Sequence, residues 1–130
     1  MASILRVNTL TDASSNNSIA MSFVAQGSAK MWVNFDGGAS GAAARDSLNV
    51  SGMTDSGSGQ YIVSINSDMS NVNYSTTDSV GDHDNVGESH AYSYVHTQAV
   101  GSVGIITAHY DGAANQDRSN VCIQVCGDLA

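Results

Sequence analysis

The chain contains no proline, a single glutamate, one tryptophan and four basic residues among 130. Each shortage narrows what it can be. Phosphate binding needs clustered Lys and Arg, and Arg6, Lys30, Arg45 and Arg118 against twelve acidic residues leave a formal net charge of −8. Sequence-independent nucleic-acid binding and adhesion to anionic membranes are therefore disfavoured. No run approaches the ~18–20 apolar residues of a membrane span, so membrane insertion is not expected. The start lacks the charged and apolar regions of a signal peptide, so signal-directed secretion is not expected either. One Glu against eleven Asp argues against helices, because Glu favours helix interiors whereas Asp favours turns and caps. Without proline, and with few lysines, the chain also lacks two of the residues that natural sheets use to blunt exposed edges.

What is present suits a β protein. Charged residues make up 12% of the chain, about half the usual share, and polarity comes from Ser, Asn, Thr and Gly. A domain of this length buries roughly 65–70% of the surface of its unfolded chain, enough for one small core. Residues 1–26 read as an N-terminal arm. Ile4 to Leu10 is a candidate extended strand, 12–18 a polar loop, and Ile19 to Val24 a return to extended structure. Residues 27–130 read as the folded domain. Within Lys30 to Asp36, Met31, Val33 and Phe35 share one face and Trp32 and Asn34 the other, which is the alternation of a half-buried strand. Leu48 and Val50 continue such a pattern towards Met53. Thr54 to Gly59 then supplies a hairpin loop into Gln60–Asn66, with Tyr61, Val63 and Ile65 facing the core. Asn73–Ser79, Ser89–Thr97, Val103–Tyr110 and Asn120–Cys126 complete the set of candidate strands. The one helical temptation, Gly41 to Arg45, is too short to stand alone. The expected fold is all-β: an antiparallel β-sandwich or jelly-roll-like domain behind a short extended arm.

The order of these elements carries a resemblance. Lys30-Met31-Trp32-Val33-Asn34-Phe35-Asp36-Gly37 is followed by Arg45-Asp46-Ser47-Leu48-Asn49-Val50-Ser51. Then come Thr54-Asp55-Ser56-Gly57-Ser58-Gly59-Gln60-Tyr61, Met69-Ser70-Asn71-Val72-Asn73-Tyr74 and the closing Gly127-Asp128-Leu129-Ala130. With the opening Leu5-Arg6-Val7-Asn8-Thr9-Leu10, the series resembles a family of β-rich virion proteins of marine phages and cyanophages, often labelled tail fibre proteins. The resemblance implies a non-enzymatic component of the virion surface, made in the cytoplasm of a bacterial host and assembled as a homotrimer. It carries over no catalytic residues, and no cofactor or metal is expected. Two roles stay open, a tail fibre or knob module contacting the host surface, and a capsid decoration or head-fibre protein.

Several residue groups bear on contacts. The stripe His90, Tyr92, Tyr94, His96 is suited to packing across strands or subunits, or to stacking on a host glycan. Trp32 is a candidate core or interface anchor. Ile4, Leu5, Val7 and Leu10 are too apolar to hang free and point to attachment, either to a neighbouring subunit or to another virion protein. Asp82-His83-Asp84-Asn85-Val86-Gly87-Glu88 looks like half a calcium loop. It has Val86 at position five and Ser93 at position twelve, so a solvated turn is the expectation. Cys122 and Cys126 lie four residues apart, roughly 13 Å along a strand, too far for a disulfide unless the strand breaks. No Gly-x-Ser-x-Gly elbow marks a nucleophile.

Overall fold

The computed structural model describes residues 4–81, 91–110 and 114–130. Strands β1 (Thr9–Thr11) and β2 (Ser18–Ala20) form a small antiparallel hairpin, and helix α1 (Met21–Gly27) follows directly. The next strands are β3 (Ala29–Asp36), β4 (Ala43–Leu48), β5 (Val50–Gly57) and β6 (Gln60–Ile65). Strands β7 (Ser75–Gly81), β8 (Ala91–Ala99), β9 (Ser102–His109) and β10 (Asn120–Cys126) close the chain. They make two four-stranded sheets, ordered β4-β3-β10-β7 and β5-β6-β9-β8, with every pairing antiparallel. The chain is thus an all-β sandwich.

The central strands carry the core because their apolar residues recur every second position. Met31, Val33 and Phe35 of β3 and Val121, Ile123 and Val125 of β10 are all 2% exposed or less. From the other sheet they meet Tyr61, Val63 and Ile65 of β6 and Val103 and Ile105 of β9. The Phe35 and Tyr61 rings pack edge to face across the sheets, 5.0 Å apart at 71°, the geometry that aromatic quadrupoles favour. β4 buries no residue, which fits an edge strand.

Two local readings are corrected by the structure. Alternation runs on through Leu48 and Val50, yet the chain turns at Asn49, whose φ of 56° puts it in the left-handed region. That turn sends β4 to one sheet and β5 to the other. The Asn49 amide holds the corner: Nδ2 donates to the Lys30 and Ser67 carbonyls (3.0 and 3.1 Å), and Oδ1 accepts from the Ser67 N–H (2.8 Å). Asn tolerates left-handed backbone better than other non-glycine residues, and here its side chain supplies three hydrogen bonds as well. At 41–45, read as too short to stand as a helix, Ala43–Arg45 begin β4. The second correction is the helix at Met21–Gly27, where extended structure is expected as far as Val24. Met, Ala and Gln favour helix, and a seven-residue helix is too short to show a period.

The opposite corner joins β7 to β8. The Ser93 hydroxyl donates to Asp78, and the Gln98 amide donates to the Tyr74 carbonyl and the Thr76 hydroxyl, both at 3.1 Å. Side chains therefore bridge the sheet edges at both corners.

Candidate interaction faces

The candidate contact residues fall on three separate surfaces. Tyr92 and Tyr94 stand on the outer face of the β5-β6-β9-β8 sheet, 42% and 45% exposed, opposite Ala108 and Ile106 of β9. Two residues apart on a strand, they point the same way, and their rings stack at 6.2 Å and 15°. Pairing of β8 with β9 shifts register between Val95 and Thr97, and His96 sits at that irregularity. Its ring lies over Gly104, where a Cβ would approach the imidazole Cε1 to 2.6 Å. The missing side chain at Gly104 is the seat of His96. Tyr92, Tyr94 and His96 thus share one face, and His90 lies outside the described residues.

Trp32 is on the opposite side of the molecule. It belongs neither to the core nor to the tyrosine face. Half-buried on the outer face of the β4-β3-β10-β7 sheet, it pairs with Leu48 on one side and Gln124 on the other. Gln124 in turn pairs with Thr77, giving an uncharged row Leu48–Trp32–Gln124–Thr77 across all four strands. Beside it runs a shallow cleft of about 310 Å³ whose lining includes Trp32, Asn34, Thr77, Asp78, Cys122 and Gln124. Leu48 is 47% exposed. Leu48 reaches Trp32 through the pairing of β3 with β4, and the cleft is gathered by the register of β3 with β10, about ninety residues away, so neither stands out in the sequence.

Cys122 and Cys126 are both free thiols on β10. Asn34 Nδ2 donates to Cys122 Sγ at 3.0 Å, and Gln124 Nε2 donates to Cys126 Sγ at 3.7 Å.

The third surface is the N-terminal segment. Of the expected 4–10 strand only Thr9 and Leu10 are paired, with Leu10 opposite Ile19, and the pairing runs on to Thr11. The hairpin loop is closed by Asp12, which accepts from the Ser14 hydroxyl (2.9 Å), the Asn16 N–H (3.1 Å) and the Asn17 amide (2.7 Å). Those bonds, Asn17 first and Ser14 second, hold its carboxyl below the ordinary value of 3.8. The apolar side chains remain open: Ile4 is 74% exposed, Leu5 80%, Val7 38% and Leu10 41%. Phe23 on α1 was not anticipated and is 71% exposed, and α1 buries no residue at all.

Among the described residues, no three His, Cys, Asp or Glu side chains gather as a metal site, and no helix is long and apolar enough to cross a membrane. The acidic segment 82–88 lies outside the described residues. Comparison of the chain with protein-family models, with curated proteins and with solved structures returns no match.

Proposed function

We propose that the chain is a non-enzymatic structural protein of a bacteriophage particle, a trimeric tail fibre or knob module displayed at the virion surface. One observation carries the assembly reading. Apolar and aromatic side chains are left uncovered on both outer sheet faces and on the N-terminal segment, although the sandwich core is complete without them. Tyr and Trp in such positions are the residue types that anchor protein interfaces. Closed symmetry covers repeated patches without open-ended growth, and a trimer is what the resemblance to phage virion proteins implies. The tyrosine face is the part of the surface suited to a host glycan, since stacked rings give flat apolar area with hydroxyl tips.

A second role, as a capsid decoration or head-fibre protein, draws support from the described residues forming a single sandwich with no repeated shaft. Native mass measurement of the purified protein at micromolar concentration tests the assembly. A trimer is expected, tightening modestly with salt as repulsion between copies of net charge −8 is screened. A stable monomer in physiological salt overturns it. Gold-labelled antibody on intact virions separates tail from capsid, and absence of label from particles removes the virion role altogether.

A further inference from the structure

We infer that the N-terminal segment of each copy docks on the Trp32–Leu48 face of the next copy, so that the ring of subunits closes through a swapped arm. This rests on the trimer reading above and names the two surfaces that meet. The first argument is that the segment has no seat on its own sandwich. No residue of α1 is buried, and the described tie from α1 to the domain is a 3.4 Å hydrogen bond from Gln26 Nε2 to Asp128. Meanwhile Ile4, Leu5, Leu10, Ile19 and Phe23 are between 41% and 80% exposed.

The second argument is charge. Residues 1–28 contain Arg6 and Asp12 as their only charged side chains and are neutral overall. The remaining 102 residues hold eleven acidic against three basic groups, so the whole charge of −8 sits on the sandwich. Sandwich against sandwich brings two strongly acidic bodies together. Arm against sandwich does not. The acceptor is matched in kind along its central row Leu48–Trp32–Gln124–Thr77, which carries no charge. The concave cleft beside it has Asp78 as the one charged residue of its lining, and that carboxylate accepts the Ser93 hydroxyl. The tyrosine face is also uncharged along Tyr94, Ile106 and Gln60, but its two rings stand as a ridge.

The third argument is area. Five apolar side chains this exposed amount to roughly 500 Å², the scale of the largest apolar patch a monomer carries. A stable interface buries about 800 Å² per partner, which the arm alone does not reach. In a head-to-tail ring each copy makes two such contacts, one through its arm and one through its acceptor face, so the area buried per copy is about twice that of a single contact and ring closure supplies the rest of the stability.

Trp32 is the only tryptophan, so its fluorescence reports on the acceptor face alone. The test compares the full-length protein with Phe23→Asp and with Leu10→Asp/Phe23→Asp. These positions are exposed, and far-ultraviolet circular dichroism checks that the β fold is kept. The expected result is a wild-type trimer that the double variant loses. Trp32 emission then shifts to the red, and acrylamide quenching rises at least twofold. A trimer that persists with unchanged Trp32 quenching overturns the arm inference and leaves the trimer reading standing. Loss of the trimer without a change at Trp32 overturns the acceptor face. A monomeric wild type whose Trp32 nevertheless responds to the variants means that the arm folds onto its own chain, which overturns both readings. A Gln26→Ala control, with the arm's apolar side intact, is expected to stay trimeric, and dissociation in it also counts against the inference.

Discussion

The phenol of Tyr61, buried at the centre of the sandwich, donates a 2.8 Å hydrogen bond to Asp117 Oδ1, and the same oxygen accepts the Gly59 N–H at 2.6 Å. One carboxylate thus ties the β5–β6 turn and the start of β6 to the segment leading into β10. Tyr61→Phe removes one donor from this junction and is expected to cost about 1–2 kcal/mol. Asp117→Ala strips the acceptor from two donors and is expected to cost more, about 2–3 kcal/mol. The double variant should fall short of the sum, because both changes remove the same bond. Urea unfolding of the three proteins measures all of this, and strict additivity would show that the pair is not coupled.

The same burial predicts how the fold responds to alkali. Burial raises the Tyr61 phenol well above its ordinary 10.0, helped by the hydrogen bond to Asp117 and that residue's negative charge. Burial likewise raises Tyr74, whose hydroxyl donates to the Ala99 and Ser102 carbonyls at 3.0 and 2.9 Å. In the unfolded chain both phenols ionise near 10.0, whereas in the folded chain they resist. Their contribution is therefore complete below about pH 10 and is lost as pH climbs towards the folded values. The urea midpoint is expected to hold level to about pH 9 and fall beyond pH 10. In Tyr61→Phe/Tyr74→Phe that alkaline slope should flatten, and an unchanged slope would assign it to other groups.

Two glycines with left-handed backbone should answer very differently to alanine. At Gly59, with φ 63°, a Cβ would strike the Thr107 carbonyl oxygen and come within 2.6 Å of the Gln116 nitrogen, both main-chain atoms. At Gly41, with φ 81°, nothing lies within 4 Å. Gly41→Ala meets only the backbone penalty of about 1–2 kcal/mol. Gly59→Ala adds a collision with backbone that cannot swing aside and is expected to cost at least 3 kcal/mol, among the larger effects of single changes. Thermal unfolding of the two variants gives the comparison directly. Equal losses would mean that the loop at 114–118 yields freely.

The contrast between central and peripheral strands explains what could be read from the sequence. Met31/Val33/Phe35 and Tyr61/Val63/Ile65 alternate because both strands lie in the middle of a sheet with one face on the core, and alternation is a local signal. The break at Asn49 is hidden, since Leu48 and Val50 preserve the alternation while one residue's φ changes sheet. Helix α1 is hidden for another reason: with no buried face it has no apolar stripe to display. The division of Trp32 from the tyrosine face depends on which strands share a sheet. β3 lies beside β10 and β8 beside β9, and no window of neighbouring residues encodes the first of those pairings.

The cysteines offer the last test. β10 stays in register with β7 from Asn120 to Cys126, so the strand is unbroken between the two thiols, and four residues of strand separate them by roughly 13 Å. A disulfide requires Cα atoms within about 7 Å, so no bridge within the chain is expected. Each sulfur instead accepts a side-chain amide, from Asn34 or Gln124, and a serine oxygen accepts the same donors. Cys122→Ser with Cys126→Ser is therefore expected to change stability by no more than about 1–3 kcal/mol. Thiol titration of the unreduced protein in denaturant should count two thiols per chain. The native rates should differ, because Cys122 lines the cleft that a docked arm covers. Phe23→Asp should then speed the reaction of Cys122 and leave Cys126 nearly unaffected. An intact mass lighter by two hydrogens, or a double variant that no longer folds, would contradict the reduced, packing role of the pair.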